Sequence, residues 1–443
     1  MKKIYFLLPL IGISLLSAQT SNAQMVSGSV FLKGHYVEVG IGALGYYGSD
    51  TTAPAGYHPH LIGGVPANRV GFVADPLMTG WDTAAAHHYM GDYFLPGSPF
   101  EGWDIQIGGK RCEAYNNGPT AISFMYGGGM GTCFGYNTGY ATSGSTVSAT
   151  WQGTADSVTI TQVTTLDTMD FYFTVKVTLT NTAVAPKNDI YYFRSLDPDN
   201  DETWTGGGFP TNNTIDLQMP AATASMVTAV GMSSTLPPLS LGSPDTASRA
   251  VIYNSWPITS TTDLATVYNE TWGGGTGAFY TAGVNHPGDI AIGLIMNVPH
   301  LATVDSAGDS VLRTTSSGML HPANTASFTY FYAFSTAGAD SAIARLNRGY
   351  SGTGTLSTGI HQVNTDINVY PNPAKNLVNI TGLNTTDHVS VYNMMGQTVI
   401  NNQQATTQGL NTISLNNLPA GAYVLIVTDE NGAIRSRVPV RKM

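Results

Sequence analysis

The chain has 443 residues, of which 42% are hydrophobic and only 10% are charged, and its formal net charge at pH 7 is −10. Soluble domains usually carry about 25% charged residues, so uncharged polar side chains must cover much of this surface, which suits sheets and turns better than helices. An acidic chain without a basic stripe argues against nucleic acid as a partner and leaves cations or neutral polymers as candidate ligands.

Residues 1–23 have the pattern of a secretory signal peptide. Lys2 and Lys3 precede an apolar run, and small residues at Ser21 and Ala23 fit cleavage after Ala23. The apolar run is too short for a comfortable membrane span, and no other segment has the pattern of one. We therefore expect an exported protein with no integral membrane segment after signal cleavage.

The passenger, residues 24–348, has the alternating pattern of an all-β fold, and we expect a large β-sandwich-like domain. The clearest strand is FYFTVKVTLTN at 171–181, in which apolar and polar residues alternate strictly. A polar loop leads to IYYFRSL at 190–196, and we expect these two strands to pair as an antiparallel hairpin. Further strands are expected at 157–163, 288–298 and 327–335, and a short helix at 339–347.

Cys112 and Cys133 are the only two cysteines. An even pair in an exported protein predicts one disulfide, which would close a loop of about 20 residues. The segment between them has the composition of a hairpin with a glycine-rich tip. Two unpaired buried thiols are the alternative.

A Gly-, Ser- and Thr-rich stretch at 349–365 has the composition of a flexible linker. Residues 366–443 follow as short strands separated by turns, which predicts a small immunoglobulin-like β-sandwich. Pro371 and Pro373 fix φ and remove ladder donors, so we expect them where the first strand of this unit starts.

Four blocks follow one another in this tail: YPNP from Tyr370, NMMGQTV from Asn393, LPAGAYVLIV from Leu418, and a basic end. Their order and spacing resemble the A-type C-terminal sorting domain of the type IX (Por) secretion system of Bacteroidetes. The resemblance implies that the type IX translocon is a partner and that the protein reaches the medium or the outer-membrane surface. It assigns these residues to the sorting motif: Pro371, Asn372, Pro373, Gly396, Gln397, Pro419, Gly421 and Tyr423. No family is recognised in the passenger.

An acidic run, SLDPDNDETWTGGG, begins at the end of a predicted strand. Asp197, Asp199, Asp201 and Glu202 crowd together there, and carboxylates at alternate loop positions can wrap around Ca²⁺. The spacing is not that of an EF-hand. A solvated acidic turn explains the same residues. A catalytic carboxylate pair is a third reading, for which the sequence identifies no second carboxylate.

No nucleophile elbow, metalloprotease helix, Cys–His pair or phosphate loop is recognisable, so no catalytic residue and no cofactor other than calcium is assigned. We expect the passenger to be a calcium-stabilised binding or adhesion module for glycan or another surface. The alternatives are a secreted polysaccharide-acting hydrolase and a structural surface-layer component. A cleft with paired carboxylates would favour the hydrolase, whereas a flat aromatic face would favour the binder.

Overall fold

The architecture comes from a computed structural model of the chain. It describes residues 22–58, 69–75, 78, 80–81, 90–92, 101–116, 122–127, 134–200, 209–232, 238–254, 262–274, 277–298, 303–304, 310–311, 319–350, 367–393, 397–407, 409–429 and 434–443. Residues 1–21 of the predicted signal peptide and residues 351–365 of the predicted linker lie outside these ranges, whereas Ala23, the expected last residue of the signal peptide, begins the first strand of the described chain. Both assignments therefore stay predictions.

The described passenger contains 25 strands and two helices, named here in chain order. The first strands are β1 (Ala23–Val26), β2 (Ser29–Lys33), β3 (Val37–Ile41), β4 (Phe72–Ala74), β5 (Met90–Asp92), β6 (Glu101–Ile107), β7 (Lys110–Asn116), β8 (Ile122–Gly127), β9 (Phe134–Ser143), β10 (Thr146–Ala155), β11 (Val158–Asp167), β12 (Tyr172–Asn181), β13 (Lys187–Asn188) and β14 (Tyr191–Leu196). The remainder are β15 (Thr211–Leu217), β16 (Ser225–Gly231), β17 (Leu239–Ser243), β18 (Ser248–Tyr253), α1 (Leu264–Tyr268), β19 (Ala278–Phe279), β20 (Asn285–Gly288), β21 (Ala291–Asn297), β22 (Thr303–Val304), β23 (Ser310–Val311), β24 (Met319–Leu320), β25 (Thr325–Ala333) and α2 (Thr336–Tyr350).

The described C-terminal unit contains seven more strands. They are β26 (Asn368–Tyr370), β27 (Leu377–Leu383), β28 (His388–Asn393), β29 (Thr398–Gln404), β30 (Gly409–Ser414), β31 (Gly421–Thr428) and β32 (Ile434–Lys442). The prediction of an all-β chain is confirmed. The predicted short helix also forms as α2, which includes Gly349 and Tyr350, the first two residues of the predicted linker.

Two large antiparallel sheets form the body of the passenger. One has 11 strands in the order β20-β15-β16-β17-β25-β12-β11-β10-β9, with β22 and β23 attached beside β25. The other has seven strands in the order β19-β18-β21-β14-β6-β7-β8. A five-stranded sheet, β1 to β5 in sequence order, and a two-stranded pair, β13 and β24, complete the passenger.

The inner faces of the two large sheets enclose one hydrophobic core. Trp103 of β6 packs edge-on against Trp151 of β10, with ring centroids 5.2 Å apart. Tyr192 of β14 meets Phe328 of β25 at the same centroid distance, 5.2 Å. The strict alternation on β11 and β12 follows from this arrangement, since one side of each strand faces the core and the other faces away from it.

A buried ion pair within the seven-stranded sheet is hydrogen-bonded to the 11-stranded sheet. Arg194 of β14 donates to both carboxylate oxygens of Glu101 on β6, one bond being 2.7 Å long. The Tyr47 amide (2.6 Å) and the Tyr332 hydroxyl (2.8 Å) donate to the same carboxylate. The guanidinium also donates to the Gly45 carbonyl at 3.1 Å. Since the partners come from several strands and a loop, the network fixes their relative positions.

The expected hairpin between 171–181 and 190–196 is wrong. β12 pairs with β11 and β25 in the 11-stranded sheet, whereas β14 pairs with β6 and β21 in the seven-stranded sheet. The polar loop between them therefore crosses from one sheet to the other. β14 is buried along its whole length because it is covered on both sides of its sheet. β12 alternates instead between buried and partly exposed residues, because only one of its sides faces the core.

The C-terminal unit has its own hydrophobic core. It consists of a three-stranded sheet, β26-β27-β30, and a four-stranded sheet, β29-β28-β31-β32. This arrangement agrees with the small sandwich expected from the sequence. Pro371 and Pro373 follow the first strand, β26, instead of starting it. Their missing amide donors suit the connection between β26 and β27.

Candidate functional site

An exposed polar face covers the side of the 11-stranded sheet that points away from the core. Its residues form two rows of cross-strand neighbours, here called ranks. Each rank takes one residue from each of five adjacent strands: β9, β10, β11, β12 and β25. The first rank is Phe134, Thr154, Thr159, Thr180 and Thr325, and the second is Tyr136, Gln152, Thr161, Thr178 and Ser327. We call these ten residues the hydroxyl face.

The two aromatic rings stand at one end of the ranks, on the edge strand β9. Phe134 is 57% exposed and Tyr136 is 63% exposed. A bulge beside Trp151 shifts the register of β9, so that Tyr140, further along the strand, pairs with the core residue Ala149 on the other side of the sheet. Phe134 and Tyr136 therefore share the hydroxyl face, and Tyr140 does not.

Hydrogen bonds between side chains order the hydroxyl face. The hydroxyls of Thr180 and Thr325 lie 3.1 Å apart, and the Gln152 amide donates to Thr161 Oγ1 at 3.5 Å. At the far end of these strands, α2 packs over Tyr172 and Phe331 on the same side of the sheet. The sheet is thus covered at one end by α2, and the hydroxyl face is presented at the other.

A second polar cluster lies on the outer side of the seven-stranded sheet. Asp104 of β6 and Glu113 of β7 are direct cross-strand partners. Arg111 donates to Asp104 Oδ1 from Nε at 3.0 Å and from Nη2 at 2.6 Å, and the Tyr115 hydroxyl donates to Asp104 Oδ2. All four side chains are buried. We call Asp104, Arg111, Glu113 and Tyr115 the acidic cluster.

Glu113 is the carboxyl group of this cluster that lacks donors. Among the described residues no group donates a hydrogen bond to either of its oxygens, although Arg111 Nη2 lies 3.4 Å from Oε2. The protonated carboxyl of Glu113 can instead donate to Asp104. Burial and the neighbouring Asp104 carboxylate raise the pKa of Glu113 to about 8. Burial likewise raises the pKa of Asp104, against the attraction of Arg111. At neutral pH Glu113, with a pKa of about 8, therefore keeps its proton.

The acidic cluster holds the segment that contains α1. Arg111 Nη1 donates to the Thr262 carbonyl at 3.3 Å. Gln106, beside Arg111 in the β6–β7 ladder, donates to Asp263 Oδ1 and accepts from the Leu264 amide, both at 2.7 Å. The start of α1 is thus tied to the sheet by two side chains of the β6–β7 hairpin.

Two of the predicted calcium ligands fall within the described residues. Asp197 and Asp199 follow β14 and are each 1% exposed, whereas Asp201 and Glu202 lie outside the described residues. Neither oxygen of Asp197 has a hydrogen-bond partner in the described part of the chain. Burial, followed by repulsion from Asp289, raises the pKa of Asp197 to about 8. A fully solvated turn does not fit this degree of burial, but the predicted calcium site stays a prediction.

No group of three or more His, Cys, Asp or Glu side chains in the described ranges is placed to hold a metal ion. The described part of the predicted calcium loop offers two buried carboxylates and the Asn200 amide, whose Oδ1 also has no partner there. The two remaining predicted ligands would have to complete the site.

Cys112 lies in β7, 1% exposed, opposite Tyr126 of β8. β8 pairs with β7, and residues 117–121 connect these two strands. The glycine-rich tip expected between the cysteines therefore does not join this pair, and beyond Gly127 it lies outside the described residues. Cys133 lies outside the described residues, and the disulfide stays a prediction.

The residues of the expected sorting motif connect the ends of the C-terminal unit. Asn372 Oδ1 accepts from the Arg441 amide at 2.9 Å, which attaches the last strand, β32, to the segment between Pro371 and Pro373. The Tyr423 hydroxyl donates to the Pro419 carbonyl at 2.8 Å, and its ring is 4% exposed.

Two further motif positions lie at turns or strand ends. The Gln397 amide, just before β29, donates to Oδ1 of Asn393 at the end of β28 at 2.9 Å, and Gly421 begins β31. Gly396 lies outside the described residues.

Residues 368–441 match the family model described as the secretion system C-terminal sorting domain. The C-terminal unit is therefore a sorting domain of the type IX secretion system, as its motifs indicated. A chain that carries this domain is exported to the cell surface or the extracellular space, and the domain implies interaction with the type IX machinery.

No curated protein matches the chain. Among solved structures, a polysaccharide lyase gives 12% identity and a TM-score of 0.26, covering 80% of this chain and 40% of the lyase. PorZ of Porphyromonas gingivalis, described as an essential surface component of the type IX secretion system, gives 10% identity and a TM-score of 0.16, covering 94% of this chain and 69% of PorZ. Neither likeness is close enough to carry an argument about the passenger.

No helix within the described residues is long and apolar enough to cross a membrane.

Proposed function

We propose that this protein is an exported glycan-binding protein whose passenger binds polysaccharide through the hydroxyl face. The main observation in support is that two exposed aromatic rings, Phe134 and Tyr136, lie beside Thr, Ser and Gln side chains that are aligned across the strands. Aromatic rings offer apolar area to the faces of sugar rings. Hydroxyl groups both donate and accept hydrogen bonds, as the hydroxyls of a sugar do.

The burial of the carboxylates in the acidic cluster and at Asp197 favours binding over hydrolysis at these two places. Asp104, Glu113 and Asp197 are at most 1% exposed, whereas a general acid or base must come within hydrogen-bond reach of its substrate. The hydroxyl face already stands at the surface.

The experiment is depletion of the purified mature protein from solution by insoluble polysaccharides. Replacing both Phe134 and Tyr136 by Ala should abolish retention, because the stacking surface is lost. Tyr140→Ala is the matched control, since Tyr140 is 49% exposed on the same strand but lies on the other side of the sheet. Equal retention of the double variant and the wild type would refute binding at this face.

We further propose that the acidic loop after β14 binds calcium through Asp197 and Asp199, completed by Asp201 and Glu202. The unpartnered, buried carboxylate of Asp197 supports the proposal, because a buried carboxylate without donors needs either a proton or a cation. A bound Ca²⁺ would supply charge balance at this loop.

A thermal melt with calcium and then with chelator tests the calcium site. Calcium should raise the midpoint, since a ligand that binds only the folded state stabilises it. Asp197→Asn should remove the shift, while Asp156→Asn, in the turn between β10 and β11, should keep it. A midpoint indifferent to calcium would refute the site.

A further inference from the structure

The hydroxyl face carries no charged side chain in either of its two ranks. The neighbouring rank along the strands contains one cation, Lys176, between Val163 and Thr329. In the turn beyond the ranks, Asp156 is paired with Lys187 at 2.8 Å. Lys176 is thus the one cation in this neighbouring rank that an anionic polymer would meet. The net charge of −10 on the protein would repel such a polymer.

The two ends of each rank differ, since an aromatic ring lies at one end and a hydroxyl side chain at the other. Neighbouring strands lie about 4.8 Å apart, so a rank of five residues spans about 19 Å, long enough for several sugar rings. Phe134 and Tyr136 stand at the same end of the two ranks, about 7 Å apart along β9. The opposite ends are Thr325 and Ser327 on β25.

The hydroxyl groups are arranged to meet an uncharged polyol. Apart from the two rings, every side chain in the ranks is Thr, Ser or Gln, each able to donate and accept. The eight are half-buried, or exposed in the case of Gln152, so their stems are held by neighbours while the polar ends remain at the surface. A pre-ordered surface loses less entropy on binding than a mobile one.

We propose that the hydroxyl face takes a neutral polysaccharide whose chain lies along the ranks, from the rings of β9 toward β25. The inference rests on the proposed glycan binding and adds to it the charge class of the polymer and its direction. A short oligosaccharide would occupy only the aromatic end, whereas a longer chain would also reach Thr325 and Ser327.

The test compares neutral and anionic probes by titration calorimetry with the mature full chain. The neutral probes are soluble mixed-linkage glucan, xyloglucan and galactomannan, and the anionic probes are polygalacturonate and alginate. Binding is expected with at least one neutral polymer and with neither anionic polymer at moderate salt.

Variants on the ranks test the direction. The pair Thr161→Val and Thr178→Val removes two central hydroxyls at nearly constant shape and should weaken binding of the neutral polymer about tenfold. Thr165→Val is the matched control, because Thr165 lies on the same strand and side but outside the two ranks. Ser327→Ala should weaken binding of a long chain and leave a disaccharide unaffected.

The outcomes separate the two proposals. If no polysaccharide binds, the proposed function and the inference both fail. Glycan binding that depends on Phe134 and Tyr136 would uphold the function, but preference for an anionic polymer would overturn the inference. The inference is equally overturned if the Thr161 and Thr178 pair has no more effect than Thr165→Val, or if Ser327→Ala weakens short and long ligands alike.

Discussion

Arg194 is fully buried and is balanced by Glu101. Replacing Arg194 by Met would leave the Glu101 carboxylate buried without its cation. We expect this to lower the free energy of unfolding by about 3–5 kcal/mol, measured by denaturant titration, because an uncompensated buried charge is costly.

Arg249→Met is the control for this substitution. Arg249 lies 3.9 Å from Glu270, whose side chain is 42% exposed. Partly solvated pairs of this kind contribute at most about 1 kcal/mol. Equal losses in the two variants would show that Arg194 does not depend on its buried partner.

Glu113 links stability to pH. Its pKa is about 8 in the folded chain against an ordinary value of 4.5, so the folded state keeps a proton that the unfolded chain has released. Its contribution to stability is therefore fully present below about pH 4.5, declines as the pH rises, and is lost by about pH 8. Glu113→Gln, which cannot ionise, should be more stable than the wild type at about pH 9.

The pH comparison is made in the Asp197→Asn background, because Asp197 adds a slope of the same sign. Thermal melts between about pH 5 and pH 9 should show a flatter profile for Glu113→Gln, with similar midpoints near pH 5. Asp104→Asn, by contrast, removes the negative charge that faces Arg111 and replaces one of the two acceptor oxygens by an amide NH2 group, so it should destabilise the fold throughout this range. Parallel profiles with and without Glu113 would contradict the assigned proton.

The acidic cluster has a signal in the sequence, which is the turn between β6 and β7. In EGWDIQIGGKRCEAY the pair Gly108-Gly109 is a two-residue turn, and centring a hairpin there places Asp104 opposite Glu113. The proximity of Glu101 to Arg194 could not be derived in this way. These residues are far apart in the sequence, and their meeting depends on the order of strands in the sheet.

At the scale of elements, local periodicity predicted the strands better than their partners. The alternation in 171–181 gave β12, but the adjacent strand in sequence, β14, joined the opposite sheet. Alternation reports which side of a strand is buried, and it does not report which strand lies beside it. The hydroxyl face was missed for the same reason, since its ranks exist only once five strands are aligned.

Asn372 adds one side-chain hydrogen bond to the last strand of the sorting domain, β32, which also pairs with β31 and bonds to the backbone of Ala374. Asn372→Ala removes the acceptor for the Arg441 amide and should lower the free energy of unfolding of this domain by about 1 kcal/mol. Hydrogen exchange of the β32 amides would measure the loss. Asn379→Ala is the control: its side chain accepts from the Thr412 hydroxyl at an exposed position, so β32 should keep its protection. Equal protection of β32 in both variants would contradict the role of Asn372.

In the whole molecule, the tail and the passenger differ in how their sequences encode function. The tail was recognisable because its turn residues and apolar blocks keep a fixed order over residues 368–441. The passenger has no recognised motif, and its proposed binding surface consists of common residues whose meaning depends on their alignment. Export is nevertheless a condition for the proposed binding, since a polysaccharide outside the cell is accessible only to an exported protein.

The most direct test of this account is the location of the protein in a bacterium that has a type IX secretion system. The full chain and a chain ending at residue 366 would be expressed at equal levels, and the medium, cell surface and periplasm would be probed for each. We predict that the full chain is found at the surface or in the medium, and that the truncated chain remains in the periplasm. Equal amounts of both chains outside the cell would contradict the role of the sorting domain.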